Sequence, residues 1–584
     1  MKDQVDALLR RKIKAAALDS TVSRDKFLTI QEDLRTGQLD LLYCAPERLN
    51  SEGFIASLKA IPGGIRLLAV DEAHCISEWG HSFRPDYLKI ARFAKETNVE
   101  RVACLTATAT PKVAQDICDA FHIPKEGLFT TTMYRPNLRL LAKSFTKDRD
   151  NVADLIEFLR KQPGPTIVYV TIQKGAETLA DTLHNRGFKA RAYHAGMDAK
   201  ARTKIQDDFL ESKDIIVVAT IAFGMGIDKP DIRNIVHFDI PSSIESYSQQ
   251  IGRAGRDGQP SVCLFNLSTK DFYLRQIFTY GDRPSDRSLR LLLEDICSPD
   301  RIKMSTGDTF DVSHYKQSRE CDIRPTTLAI IYTQLELRFG LFRASGCMYT
   351  EYKYETIDFR RISTDASPAA KAILKGSKKA AKWTRLNLQD VCTTSGLPRS
   401  ELVRKIDQWN ETGAIKLEKT GVLNLYRLER KLPTTKQELD DIIQQLDQEM
   451  GTKEDQDIAR TKAVIELITD KKCFSRALAE YFGEATDSMP EECGHCTWCE
   501  THEQVVLADE PPQAPDPTKV QRVLAQCPVR DDSRFLAKVA FGIKSPRVTS
   551  MGMHKKPIFE SMNVCDFMEL VRIFTQECKK SEES

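Results

Sequence analysis

The stretch LLAVDEAHCISEWGHSFRPDY, Leu67–Tyr87, decides how the chain is read. Its apolar run ends in Asp71 and Glu72, as a buried strand would when it carries two carboxylates to the C-terminal end of a parallel sheet. There Asp71 would hold magnesium through water, while Glu72 would orient or deprotonate an attacking water. A carboxylate pair at a strand end can also be plain solvated surface, so the neighbours matter. One strand later, CLTATAT places Thr106 and Thr108 at another strand tip. Far downstream, SYSQQIGRAGRDG sets Arg253 and Arg256 three residues apart, on one helical face. In a two-lobe ATPase such arginines neutralise phosphate charge in the transition state. A site of this kind also requires an upstream G-x-x-x-x-G-K-[ST] loop to cradle the phosphates, and this chain contains no Gly-Lys dipeptide.

The surrounding pattern is α/β. Strands are expected at Leu39–Tyr43, Leu67–Val70, Val102–Leu105, Thr166–Val170, Ala190–Tyr193, Ile215–Ala219 and Asn234–Phe238. Runs such as TIVYV and IIVVA are apolar on both faces, as parallel strands between helix layers are. Helical stretches such as NVADLIEFLRKQ and GAETLADTLHNRG separate them. A break near TMYRPNLRLL divides the strands into two groups, predicting a lobe over 1–138 and a second over 139–275.

Bulk properties exclude several classes. The 584 residues are 41% apolar and 29% charged, which supports globular cores rather than disorder. Lys plus Arg is 85 and Asp plus Glu is 83, so 85 − 83 = +2, and any nucleic-acid surface must be local. No run of about 18 apolar residues spans a membrane, and the N-terminus lacks the apolar core of a signal peptide. Most of the 16 cysteines sit singly in apolar runs (Cys44, Cys104, Cys118, Cys263), as small buried hydrophobes of a reducing compartment do.

After residue 275 the character changes. NLQDVCTTSGLPRSELVRKIDQWNETGAIKLEKTGVLNLYRLER reads as helix, turn, helix over Arg399–Trp409, then a hairpin turned at Thr420-Gly421. That order fits a winged helix, and equally a three-helix packing unit. RPTTLAIIYTQLELRFGLFRASGCMYTEYKYE repeats the pattern more weakly. These stretches predict a winged-helix-like region over 276–432, a helical zinc-binding subdomain over 433–506, a Pro-rich linker over 507–519 and a small helical module over 520–584. Lys371, Lys375, Lys378, Lys382 and Arg385 recur at helical spacing, with no acidic residue between Asp365 and Asp390. Such a stripe is a solvated helix face or a track for a DNA backbone.

Cys493, Cys496 and Cys499 form C-x₂-C-x₂-C, and Cys473 lies twenty residues earlier. Four thiolates suit tetrahedral zinc. An iron–sulfur cluster competes, although the ferredoxin continuation x₃-C-P is absent. Unligated thiols and a ligand role for His495 also stay open.

In order along residues 1–270, MKDQVDALL, LLYCAPERL, LLAVDEAHCISEWGHSFRPDY, LTATAT, AYHAGM, VVATIAFGMGIDKPDIRNIVHFDIP and GRAGRDG resemble the motifs of RecQ-family DNA helicases. CFSRALAEYFGE followed by CGHCTWC resembles that family's zinc subdomain. The resemblance implies two RecA-like parallel-sheet lobes followed by winged-helix-like and zinc-binding modules. It implies ATP-dependent 3′→5′ unwinding in DNA repair, recombination and replication, with ATP, Mg²⁺ and Zn²⁺ as cofactors, and single-stranded and forked DNA as partners. Asp71, Glu72, His74, Arg253 and Arg256 would be catalytic, with Gly226 and Asp228 also at the nucleotide. Trp79, His81, Phe83, Arg84, Thr106, Thr220, Lys378 and Lys382 would contact DNA. Zinc would be held by Cys473, Cys493, Cys496 and Cys499. The segment after DEAH resembles the family's aromatic-rich loop, where Trp79 and Phe83 can stack on unpaired bases.

The family's Gly-Lys-Ser loop precedes the motif that here begins at Met1. An incomplete first lobe is therefore expected, from a truncated gene model or fragment whose ATPase is inactive. The alternative is an ATP-independent DNA-binding or strand-annealing protein. About 200 residues separate GRAGRDG from Cys473, unlike bacterial members, and the last module resembles a eukaryotic one; a nuclear protein is expected.

Overall fold

The computed structural model describes residues 2–18, 22, 24–50, 52–77, 84–145, 151–224, 227–380, 382–507, 511–527 and 529–582. It divides into two compact units, Met1–Leu68 with Pro85–Ala103 and Ser288–Ile443, and Ala69–Arg84 with Cys104–Arg287 and Gln444–Ser584. The class is the expected one: α/β, with parallel-sheet lobes and a further antiparallel sheet.

Strand β1 (Ala15–Leu18) pairs in parallel with β2 (Leu41–Cys44), and β3 (Leu68–Val70) pairs with β4 (Val102–Cys104). The sequence does not predict β1, because AAAL has the composition of a helix. The six-stranded parallel sheet comprises β5 (Leu138–Phe145), β6 (Thr166–Tyr169), β7 (Ala190–Tyr193), β8 (Ile216–Ala219), β9 (Asn234–His237) and β10 (Ser261–Ser268). Their order is β5-β10-β9-β6-β8-β7. Strands β6 to β9 fall where the apolar runs predict them. β5 and β10 do not read as strands: LRLLAKSF alternates with charge, and SVCLFNLS carries polar residues although every position is buried.

In the unit that contains Ser288–Ile443, β11 (Thr309–Val312), β12 (Phe342–Thr356), β13 (Lys378–Lys379), β14 (Thr384–Asn387) and β15 (Ile415–Leu428) form an antiparallel sheet in the order β11-β15-β12-β14-β13. Tyr352, Tyr354 and Leu386 on one face pack against Ile373, Leu402, Ile406 and Trp409 from two helices. The buried Glu336 takes Lys89 at 3.1 Å and Arg92 at 2.7 Å, tying the helix Pro85–Glu96 to Pro325–Leu337.

Three expectations for this region fail. The helices Leu388–Ser395 and Arg399–Glu411 form, but no hairpin turns at Thr420-Gly421. β15 runs straight through, with Gly421 at φ 68° facing Thr350 of β12, where a Cβ would sit 2.0 Å from Thr350 Oγ1. The glycine serves close strand approach, not a wing. Likewise, the weaker upstream repeat becomes one helix and the long β12 of this same sheet. The basic stripe does not lie on one helix either: the helix Pro368–Gly376 stops, and Lys378 and Arg385 continue on β13 and β14.

The last module packs Phe535, Phe541, Phe567 and Phe574 into a core that also takes Tyr280 from the helix Thr269–Asp282. Arg283 and Arg534 meet there on the buried carboxylate of Glu454. No disulfide joins any of the sixteen cysteines, and Cys44 and Cys104 are half-buried rather than enclosed. Among the described residues, no helix is long and apolar enough to cross a membrane.

Candidate active site and metal centre

At the end of β3 the backbone turns sharply. Glu72 adopts a left-handed conformation at φ 52°, uncommon for a residue with a side chain, and its N–H donates to Asp71 Oδ1 at 2.9 Å. The 3₁₀ turn Ala73–Ile76 that follows is fully buried. His74 Nδ1 lies 2.9 Å from Thr106 Oγ1 and 3.4 Å from Glu72 Oε2, so one imidazole nitrogen sits between the DEAH glutamate and the tip of the neighbouring strand. Burial raises the Glu72 carboxyl above its ordinary range and Asp71 adds to the effect, while Arg253 and Arg84 pull the other way. Burial likewise pushes the Cys75 thiol up to about 11.

The two arginines follow the helix Ile244–Ile251, capped by Ser243 Oγ accepting from the Ser246 N–H. Gln249 Nε2 stands 3.4 Å from Glu72 Oε1 and 3.5 Å from Oε2. Gln250 Oε1 lies 2.7 Å from His237 Nε2, and burial holds His237 down at about 4, so the ring is neutral and donates. Arg253, 8% exposed, donates to the Gly224 carbonyl, and its buried Nε has no partner. Gly224 makes room for it: at φ 144° its Cβ would lie 2.5–2.8 Å from the guanidinium. Arg256 pairs instead with Asp228 at 3.0 Å.

Asp71, Glu72, His74 and Thr106 are thus gathered with Gln249, and Arg253 is close enough to act on the Glu72 carboxyl. Arg256 and Asp228 form a separate pair. Arg84 is exposed and acts on Glu72 through its charge, while its N–H donates to Cys75 O at 2.9 Å. Thr220 is buried behind β7, donating its N–H to Tyr193 O. Thr108 is buried with no hydrogen bond from its hydroxyl. Trp79, His81, Phe83 and Gly226 lie outside the described residues. Gln249 was not singled out by sequence, although it precedes Arg253 by four residues, one helical turn. Adjacent carboxylates, one held above its usual range, fit a divalent cation, and the orphaned Arg253 Nε fits an anionic acceptor. The residues present are therefore compatible with magnesium–ATP.

At the metal centre, the sulfurs of Cys473, Cys493, Cys496 and Cys499 all lie within 4.8 Å of one another. Sγ–Sγ is 3.4 Å for Cys496–Cys499 and 3.9 Å for Cys493–Cys499. A tetrahedron with Zn–S near 2.3 Å has edges of about 3.8 Å, so the four thiols fit one zinc ion and leave no space for a multi-iron cluster. The N–H of His495 donates to Cys493 Sγ at 3.4 Å, whereas its Nε2 lies 3.2 Å from Tyr134 OH, away from the ligand set. The knuckle also covers the edge of the six-stranded sheet: Leu140 N donates to His495 O at 3.0 Å, and Arg139 forks onto Glu500 at 2.6 and 2.7 Å.

The basic candidates lie at the other sheet. Lys378 stands directly opposite Arg385, and Arg385 opposite Lys353, so three cations share one row on the face away from Tyr352 and Tyr354. Lys382 pairs with Glu355 at 3.5 Å and lies over the Trp383 ring.

Comparison with known proteins finds matches to three regions of the chain. The family model for DEAD/DEAH box helicases matches residues 1–117, that for the helicase conserved C-terminal domain 149–258, and that for RecQ zinc-binding 436–500. The chain is 38% identical over 278 residues to the probable ATP-dependent DNA helicase RecS of Bacillus subtilis, covering 47% of this chain and 55% of that protein. It is 42% identical over 278 residues to ATP-dependent DNA helicase RecQ of the same organism, covering 47% and 46%. It is 36% identical over 319 residues to ATP-dependent DNA helicase Q5 of Rattus norvegicus, covering 50% and 33%. The chain thus spans about half the length, or less, of the relatives it matches. With both helicase regions, the zinc region and the DEAH and arginine motifs in place, the chain belongs to the RecQ family of superfamily 2 helicases.

Proposed function

We propose that the protein is an ATP-dependent DNA helicase that moves 3′→5′ on single-stranded and forked DNA, serving repair, recombination and replication in the nucleus. The observation that carries this reading is the contact of Gln249, from the helix leading to Arg253, with the same Glu72 that His74 links to Thr106. Bound magnesium–ATP would supply the phosphoryl group whose hydrolysis drives movement. Asp71 would hold the cation through its water shell. Glu72, with a carboxyl held above its ordinary range, would position and deprotonate the attacking water. Arg253 and Arg256 would neutralise charge on the phosphates, with Gly226 and Asp228 beside them. Trp79, His81, Phe83, Arg84, Thr106 and Thr220 would report DNA occupancy to Glu72 through His74. Lys378 and Lys382 would meet the sugar–phosphate backbone. Zinc on Cys473, Cys493, Cys496 and Cys499 would be structural. The same reading retains the division into two motor lobes, a DNA-binding region over 276–432, a zinc subdomain, a linker and a C-terminal module.

DNA-stimulated ATP hydrolysis by the protein tests the proposal. Hydrolysis that needs single-stranded DNA and is lost in Glu72→Gln supports it. A second reading, ATP-independent strand annealing, is favoured by the basic row of Lys353, Arg385 and Lys378, which follows Glu418 of β15 across the sheet. It predicts annealing that is indifferent to both ATP and Glu72→Gln.

A further inference from the structure

One half-buried polar contact links the zinc subdomain to the arginine helix. Cys473 caps the helix Phe474–Tyr481, and at the far end of that helix Tyr481 OH donates to Glu245 Oε1 at 2.8 Å. Glu245 lies in the first turn of the helix Ile244–Ile251, is 3% exposed, and its other oxygen, Oε2, has no hydrogen-bond partner. The tyrosine hydroxyl is therefore the hydrogen bond this buried carboxyl has from a side chain, and losing it strands the group in a low-dielectric interior. Burial next to Glu245 in turn raises the Tyr481 phenol.

The position on the helix gives the contact its consequence. Glu245, Gln249 and Arg253 follow one another at intervals of four residues, so they climb one side of the helix and its C-terminal extension. Glu245 meets Tyr481, Gln249 one turn later meets Glu72, and Arg253 follows after another turn. Around this line a single apolar core includes Tyr247, Ile251 and Ala254 from the arginine segment and Cys473, Phe474, Leu478 and Cys496 from the zinc subdomain. A rigid helix whose first turn is fixed presents its last turn in a fixed register. A helix free to rotate or slide there would carry Gln249 and Arg253 away from Glu72.

We propose that Tyr481 is a positioning residue: it locks the register of the arginine helix to the zinc subdomain, so that the metal centre supports the geometry of Gln249 and Arg253 as well as its own fold. The functional consequence rests on the motor reading above, but the structural claim does not need it. Tyr481→Phe keeps the ring and removes only the hydroxyl, and Glu245→Gln keeps an acceptor at the same place.

The test is hydrogen–deuterium exchange on the full chain, with zinc content measured in parallel. Tyr481→Phe should retain one zinc per chain and leave peptides over 493–501 protected. It should speed amide exchange over 247–255 by about tenfold, as loss of a hydrogen bond to a buried carboxyl does for a local opening. Glu245→Gln should remain near wild type, and chelation of zinc should speed the same 247–255 peptides in the unsubstituted protein. Unchanged exchange over 247–255 in Tyr481→Phe, or an effect of chelation confined to 473–501, overturns the proposal. Where the unsubstituted protein hydrolyses ATP, Tyr481→Phe should lower kcat while leaving KM within twofold. If the unsubstituted protein hydrolyses none, the motor reading fails alone and the exchange result still decides this one.

Discussion

Thr106 Oγ1 lies 2.9 Å from Nδ1 of the buried His74, thirty-two residues away, and the same nitrogen is 3.4 Å from Glu72 Oε2. A hydroxyl at the tip of one strand thus shares an imidazole nitrogen with the carboxylate beyond another. Anything that shifts the Thr106 loop changes how the ring is held against Glu72. Thr106→Val keeps shape and removes the hydroxyl. It is expected to lower DNA-stimulated kcat about tenfold, equivalent to about 1.4 kcal/mol in the barrier, with little change in thermal midpoint because Thr106 is half-exposed. Thr106→Ser should recover most of the rate. Steady-state hydrolysis with saturating single-stranded DNA reads both.

Gly224 carries a sharper requirement. Its φ of 144° belongs to a region that side-chain-bearing residues seldom enter, and an added Cβ would meet the Arg253 guanidinium at 2.5–2.8 Å. Gly224→Ala is therefore expected to cost about 1–3 kcal/mol of stability and to displace Arg253 from the Gly224 carbonyl. Urea unfolding should show a lower midpoint with an unchanged slope, and hydrolysis should fall as far as in Arg253→Ala. A Gly224→Ala protein with full activity would show that Arg253 does not act from this position.

A carboxyl away from the site sets a pH dependence. Asp271, 9% exposed at the start of the helix Thr269–Asp282, is pushed up to about 8, first by burial and then by the charge of Asp239. With a folded value above the ordinary one near 4, the folded protein binds the extra proton. Its stabilising contribution is complete below pH 4 and is lost as pH rises towards 8. Asp271→Asn removes that titration. The variant should match the parent near pH 4 and be more stable by a few kcal/mol at pH 9. Thermal midpoints measured from pH 4 to 9 check the divergence.

The parts legible in the sequence were those in which one residue type has one structural use. TIVYV and IIVVA are apolar on both faces and could only be interior strands. C-x₂-C-x₂-C with Cys473 brought four thiols together as zinc requires. Other parts needed the fold. Gln249 is an ordinary polar residue on a helix until Glu72, 177 positions earlier, is set beside it, and Tyr481 stands 236 positions from Glu245. Thr420-Gly421 has the composition of a turn, yet β15 passes through it because the glycine is needed for contact with Thr350. The lysine spacing from 371 to 385 was helical in sequence, but Ser377 ends the helix: its hydroxyl donates to Ile373 O and accepts from Tyr354 OH.

That break in the helix creates the last test. Lys378, Arg385 and Lys353 stand opposite one another across β13, β14 and β12, and like charges directly opposite destabilise a sheet. An edge strand also gains from lysines that discourage pairing with other chains, so the row has two physical explanations with opposite consequences. If it serves a phosphate backbone, Lys378→Gln with Arg385→Gln should weaken DNA binding. The slope of log affinity against log salt should then fall by about 0.9 for each lost contact, while the thermal midpoint stays level or rises as repulsion is relieved. If the row only guards an edge, DNA affinity and its salt slope will not move, and the substituted protein will instead associate with itself. Fluorescence anisotropy with labelled single-stranded DNA from 50 to about 200 mM salt, alongside light scattering, separates the two.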